Sequence, residues 1–325
     1  MRALGGNQRL PPSMTLIEEI RHPSTQASSI VVIFSFLLLL IVLLAAGIAA
    51  SVDYRMLHPV SSATEMTPEN LLGHTTVVQY TVSGLGLREG WFFPGLRSAP
   101  VLILCHGYRS QRGDVLTLAT TLQENQYNVF VFDFSGHGNS PGSTTMGPRE
   151  TTEVLTAIAA MAARNDVDHS RIGLWGANMG GYAALAAAAA DRRVRAVAVD
   201  SVYDDPQDFF RVEMDREGYG PLFFIPWMAR LGFRIEQIPY RGRGLLSSRL
   251  GSLNKVPKLY IALRENLLLA QSTLRMFDLS PQPKEQWVMP QGNYILMSND
   301  EKKIYDNTVL SFFLRRLPLV AEPAR

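Results

Sequence analysis

The sequence predicts an α/β domain, a mostly parallel sheet with helices on both faces, preceded by one membrane-spanning helix. Two observations carry this. From residue 76 onward short apolar runs alternate with helical patterns, the order a parallel sheet requires because each crossover between strands carries a helix. Ahead of them, residues 30–50 are 21 consecutive positions without a charge, and a helix needs about 20 apolar residues to cross a bilayer core.

Residues 1–29 contain Pro11, Pro12 and Pro23 and no apolar period, and read as a cytoplasmic tail. The span at 30–50 is apolar all round, whereas a helix on the surface of a soluble domain keeps a polar face. A cleaved signal peptide is the stronger rival, because Ala45, Ala46, Gly47, Ala49 and Ala50 close the stretch. Its apolar region is longer than the usual run of about 7–15 residues, and a long segment precedes it, so an uncleaved anchor is the favoured reading. Arg2, Arg9 and Arg21 lie before the span and only Arg55 lies shortly after it, which places the N-terminus in the cytoplasm and the domain outside. Residues 51–73 read as a linker, and 74–320 as the domain.

Within the domain, 76–82 and 88–93 read as a strand pair. The continuous apolar run at 100–105 suits a buried central strand, followed by a helix at 114–126 and a second buried strand at 128–133. A helix at 148–164, a strand at 171–175, an alanine-rich helix at 179–190 and a strand at 194–199 continue the alternation. Strands at 258–263 and 286–289 and a helix at 302–316 close it. The alanines of 183–190 let their helix lie close to the sheet.

A net charge of +2 gives no electrostatic case for nucleic acid. Cys105 is the single cysteine, so no internal disulfide forms. No metal-ligand spacing, dinucleotide fingerprint or phosphate loop is present, and no cofactor is expected.

Three motifs fall at strand ends. Cys105-His106-Gly107-Tyr108 follows the first buried strand. Asp133-Phe134-Ser135-Gly136-His137-Gly138-Asn139-Ser140 follows the second. Gly176-Ala177-Asn178-Met179-Gly180 joins a strand to a helix. Together they resemble the α/β-hydrolase superfamily, from about residue 75 to 317, and in particular its membrane-tethered bacterial serine-hydrolase-like branch. The resemblance implies the α/β-hydrolase fold, with the third motif as nucleophile elbow and the first as carrier of the oxyanion hole.

The resemblance also implies a Ser…Asp…His order, and this chain departs from it. Asn178 stands where the nucleophilic serine belongs. The segment from Pro257 to Asn266 matches the one that carries the acid, which puts Asn266 at that position, or Glu265 after a slip of one residue. The segment from Val288 to Asn293 matches the one that carries the base, which puts Asn293 there. One check needs no alignment: the histidines are His22, His58, His74, His106, His137 and His169, and none follows the elbow. An asparagine amide has no proton to surrender in the working range, and no imidazole stands downstream to take one.

Substitute chemistry finds little support. Cys105 and His106 are neighbours at a strand end and point to opposite faces. His106 and His137 sit in turns where the superfamily uses histidine for structural hydrogen bonds. Asp133 and Asp200 end strands without an identifiable partner base. The segment at about 201–255 mixes Phe209, Phe210, Tyr219, Phe224, Trp227 and Phe233 with Arg211, Arg216, Arg230, Arg234, Arg241 and Arg243. It reads as a short helical cap, and its composition also suits a surface for lipid headgroups or a protein partner.

The expectation is an anchored pseudo-hydrolase without an intact catalytic set, binding an acyl- or ester-like ligand through His106, Gly107, Tyr108, Asn178 and Met179. Two alternatives stay open: an active ester or lipid hydrolase with a non-standard catalytic set, and a structural or interaction protein that displays the cap.

Overall fold

The computed structural model describes residues 26–60, 75–221, 224–264, 266–289 and 294–320. Helix α1 (Gln26–Leu57) comes first. An eight-stranded sheet follows among the described residues, in the spatial order β1-β2-β4-β3-β5-β6-β7-β8. Its strands are β1 (Thr76–Val82), β2 (Gly86–Phe93), β3 (Pro100–Cys105), β4 (Asn128–Phe132), β5 (Asp168–Ala177), β6 (Val194–Asp200), β7 (Lys258–Leu263) and β8 (Lys284–Met289). β2 runs antiparallel to β1 and to β4, and every pairing from β4 to β8 is parallel. This is the α/β-hydrolase architecture the motifs imply.

Helices α2 (Leu116–Glu124), α3 (Pro148–Ala162), α4 (Met179–Ala190), α5 (Pro206–Arg216), α6 (Phe224–Glu236), α7 (Leu267–Leu279) and α8 (Asn299–Arg316) complete the chain. Both faces of the sheet are buried, and the alternation of side chains along each strand decides which helix meets which residue. Val101, Ile103 and Cys105 of β3 pack with Phe130 and Phe132 under α3 and α4. Leu102 and Leu104 pack on the other face with Val129, Val131 and Trp175 under α2 and α8. The alanines of α4 are buried through Ala188, so that helix sits against the sheet as the small side chains allow.

Three differences from the sequence reading matter for the site. Helix α7, which no apolar period announced, fills the crossover between β7 and β8. The segment before α2 is a 3₁₀ turn, Arg112–Val115. Finally, α1 continues past residue 50 into the stretch expected to be a linker. Its early side chains, such as Ile33, Phe34, Leu37, Ile41 and Leu44, are exposed, while Ala49, Val52, Met56 and Leu57 are buried against the domain. The apolar window within Ser28–Leu57 has the length and composition of a membrane anchor or a signal sequence. Residues 1–25 of the expected tail and 61–73 of the expected linker, with His22, lie outside the described residues, as does His74; the last four tail residues, 26–29, belong to α1.

Candidate functional site

The parallel strands deliver their C-terminal ends to one edge, where open α/β sheets place their sites. β5 ends at Ala177, opposite Asp200 at the end of β6, and the Asn178 N–H donates to the Asp200 carbonyl at 2.9 Å. The chain then reverses into α4 through Asn178, whose φ of 38° and ψ of −102° lie outside the ordinary regions for an L-residue. The flanking glycines make the turn feasible. A Cβ on Gly180 would collide with the Cys105 carbonyl, and one on Gly107 would lie 2.8 Å from the Asn178 amide nitrogen. The elbow is therefore pressed against the loop after β3.

That contact brings two backbone donors onto one atom. The Oδ1 of Asn178 accepts the N–H of Tyr108 at 2.7 Å and the N–H of Met179 at 2.6 Å. The amide serves both as N-cap of α4 and as a clasp between β5 and the β3 loop.

Beside it opens a cleft of about 320 Å³, lined by Asn178, Asp200, Ser201, Glu213, Asn266 and Tyr294 among others. α5 contributes its wall through Val212 and Glu213. Asn266 stands at the mouth as N-cap of α7, its Oδ1 accepting the N–H groups of Leu268 and Leu269, both at 3.1 Å. Asp200 is fully buried; burial pushes its carboxyl up to about 7, against the hydrogen bonds from Tyr305 and Ser201 that favour the charged form. The Tyr305 hydroxyl donates to Asp200 and accepts from the Trp175 indole N–H at 3.1 Å.

The five residues expected to bind a ligand divide. Asn178 lines the cleft. Tyr108 supplies its N–H, but its ring is buried against Phe209, with centroids 5.8 Å apart, and its hydroxyl donates to the Met56 carbonyl of α1 at 2.8 Å. Met179 is buried with its sulfur accepting from the Thr144 hydroxyl at 3.0 Å. Gly107 serves by having no side chain. His106 is buried away from the cleft: the Phe134 N–H donates to its Nε2 at 3.0 Å, so its Nδ1 carries the proton and donates to the Gly107 carbonyl at 2.8 Å. Burial holds it down to about 4, the Gly107 bond opposing. It is a neutral strut with both nitrogens engaged.

His137 is likewise buried, and burial together with neighbouring His106 holds it neutral. The Cys105 thiol is fully enclosed and pushed far above its ordinary range by burial, so its thiolate is suppressed. Asp133 does not reach the cleft. It accepts the Arg112 N–H at 2.7 Å and lies 3.3 Å from the Arg112 guanidinium. Asp200 does reach it. Asn293 and Glu265 lie outside the described residues, so of the positions expected to match the triad Asn178 and Asn266 can be placed, and both line the cleft. Among the described residues no group of His, Cys, Asp and Glu could hold a metal ion.

Sequence reading missed the Asp200–Tyr305–Trp175 network and the role of Tyr294, whose hydroxyl donates to Asp306 at 2.8 Å. The strand-end position of Asp200 was the one available signal.

A family model for the alpha/beta hydrolase fold matches residues 100–265. The chain is 24% identical over 250 residues to the uncharacterized protein YfhR of Escherichia coli O157:H7, covering 74% of this chain and 81% of YfhR. It is 30% identical over 154 residues to the thiohydrolase aneE of Aspergillus aculeatus, covering 46% of this chain and 48% of that protein. A solved esterase from Pyrococcus furiosus superposes with a TM-score of 0.65 at 20% identity, over 81% of this chain and 99% of the esterase, a likeness of fold.

Proposed function

The chain belongs to the α/β-hydrolase-fold family, and on that premise we propose that it is a membrane-anchored member that keeps the scaffold and cleft but has lost hydrolysis. The observation that carries the reading is the engagement of Asn178. In this family the oxyanion hole is built from the N–H after the nucleophile and an N–H from the loop after β3. Met179 and Tyr108 occupy those two places. Such donors serve catalysis by meeting charge that develops in the transition state. Here they are filled in the resting protein by a neutral oxygen of the residue standing in the nucleophile's place.

Among the described residues no group is found that replaces the missing chemistry. The amide of Asn178 cannot act as a deprotonated nucleophile. His106 has no free nitrogen, and no histidine follows position 169. The cleft persists at a volume suited to a small ligand. The relatives named as a thiohydrolase and an esterase put an acyl ester or thioester first among candidate ligands. Asn178, Asn266 and Ser201 supply neutral hydrogen-bonding groups for it. The anchor is residues 30–50, uncharged and, in α1, standing clear of the domain over most of their length; the arginines before the span favour a cytoplasmic N-terminus.

The test uses the full chain in nanodiscs with p-nitrophenyl butyrate and a short acyl thioester. Turnover by the wild type is expected to match that of Asn178→Ala, while a non-hydrolysed acyl analogue raises the unfolding temperature. Rapid turnover abolished by Asn178→Ala or His106→Ala would overturn the reading.

A further inference from the structure

Helix α6 carries an apolar stripe that no other described residue covers. Phe224, Trp227, Leu231, Ile235 and, just beyond its end, Ile238 follow one another at steps of three, four, four and three residues, which aligns them on one face. All five are exposed, Trp227 at 57% and Ile235 at 59%. The Phe224 and Trp227 rings stack with centroids 5.9 Å apart. The opposite face of α6, through Ala229 and Phe233, is buried in the same core cluster as Ala49, Val52 and Met56 of α1.

The position of α1 says what covers the stripe. Its uncharged stretch runs through Val52, with Asp53 the first charge after it, and its docked face begins at Ala49. No spacer separates the level where α1 leaves the hydrocarbon from the level where the domain packs on it. From Ala49 to Met56 a helix climbs about 10 Å at 1.5 Å per residue. The headgroup layer on one side of a bilayer is about 5–8 Å deep. A helix packed on that stretch therefore lies within the headgroup layer. α6 does so closely: a Cβ on Gly232 would fall 2.8 Å from the Asp53 carboxylate of α1.

We propose that α6 is an interfacial helix, with Phe224, Trp227, Leu231, Ile235 and Ile238 inserted into the bilayer that α1 spans. An apolar face bearing Trp and Phe is the side-chain set of interfacial helices, which bury such a face about 5–10 Å into the headgroup and acyl boundary. The exposed Arg234 and Arg241 lie beside the stripe, where they meet lipid phosphates. The proposal rests on the reading of residues 30–50 as a bilayer span, and the cap thereby holds the cleft at the membrane surface.

The experiment takes the full chain in a Cys105→Ala background, reconstituted in phosphatidylcholine–phosphatidylglycerol vesicles. An environment-sensitive fluorophore is attached at Trp227→Cys, Leu231→Cys or, as control on the exposed face of α8, Ile304→Cys. Vesicle flotation is measured on the same samples. The expected result is co-flotation, with emission at 227 and 231 shifted to the blue and mostly quenched by lipids bearing nitroxide acyl chains, and little change at 304. Co-flotation with probes at 227 and 231 that remain open to aqueous iodide would overturn the placement of α6 and leave the anchor intact. Probes shielded from iodide and from nitroxide lipids alike, with energy transfer between differently labelled copies, would overturn it in favour of a second copy on the stripe. Failure to float would remove the anchor reading and this proposal with it.

Discussion

Asn178 is a structural residue at the turn between β5 and α4, and substitutions there separate that role from the catalytic position proposed for it. Asn178→Ala leaves the N–H groups of Tyr108 and Met179 without their shared acceptor, so equilibrium unfolding is expected to show a loss of about 1–3 kcal/mol. Asn178→Ser alone is expected to stay inactive, because a hydroxyl without a base is a poor nucleophile. The combined change Asn178→Ser, Asn266→Asp and Asn293→His is expected to react with a fluorophosphonate probe and hydrolyse p-nitrophenyl butyrate, the wild type doing neither. A silent triple variant that folds would show that these positions do not form a triad. The expected triad positions Asn178, Asn266 and Asn293 are drawn from motifs that keep their glycines or strand, and Asn293 lies outside the described residues. The acceptor role of the Asn178 oxygen was not legible in the sequence, since it depends on the Tyr108 N–H arriving from the loop after β3, 70 residues earlier.

The strands were legible as elements because apolar runs such as those of β3, β4 and β7 are buried on both faces and need no partner to be recognised. α7 was not. It opens with Leu267, Leu268 and Leu269, which read as an extension of the apolar strand before them, and its starting signal, Asn266, sits where the resemblance expects the acid. The structure gives that residue a capping role. Asn266→Ala is accordingly expected to cost about 1 kcal/mol in chemical denaturation and Asn266→Asp almost nothing, since both native and variant side chains accept from the first turn. The far end of α1 was equally hidden: residues 51–57 carry Asp53 and Arg55 and look solvated, yet their helix continues because the cap offers α6 to pack on.

Across the whole molecule, burial of ionisable groups links stability to pH. The folded-state value of Asp200, about 7, lies above the ordinary 3.8, so its contribution is fully present below 3.8 and is lost as the pH rises through 7. Asp200→Asn removes this, and the stability difference between variant and wild type is expected to shift in the variant's favour by about 1.4 kcal/mol for each pH unit of that window. His106 acts with the opposite sign over much of the same range. Its value is depressed from 6.5 to about 4, so the stability it contributes is present above 6.5 and lost as the pH falls through 4. The two slopes oppose each other between about pH 4 and 6.5, so the difference between Asp200→Asn and wild type, followed by thermal unfolding from pH 4 to 8, isolates the Asp200 contribution; a difference that does not change with pH would contradict it. The Asp200–Tyr305 hydrogen bond, which opposes the upward shift of Asp200, spans 105 residues, a separation that no local pattern in the chain encodes.

The docked end of α1 has one more consequence. Helix, cap and pocket loop form a single body, with the Tyr108 hydroxyl fastened to Met56 and the Thr144 N–H to the Leu57 carbonyl. With α1 in a bilayer, this body cannot swing on a leash. It diffuses laterally at one height and one tilt, and its encounters with molecules of its own leaflet become a search in two dimensions. A weak intrinsic affinity then suffices for occupancy by a membrane-resident ligand, because confinement raises the local concentration without any new contact.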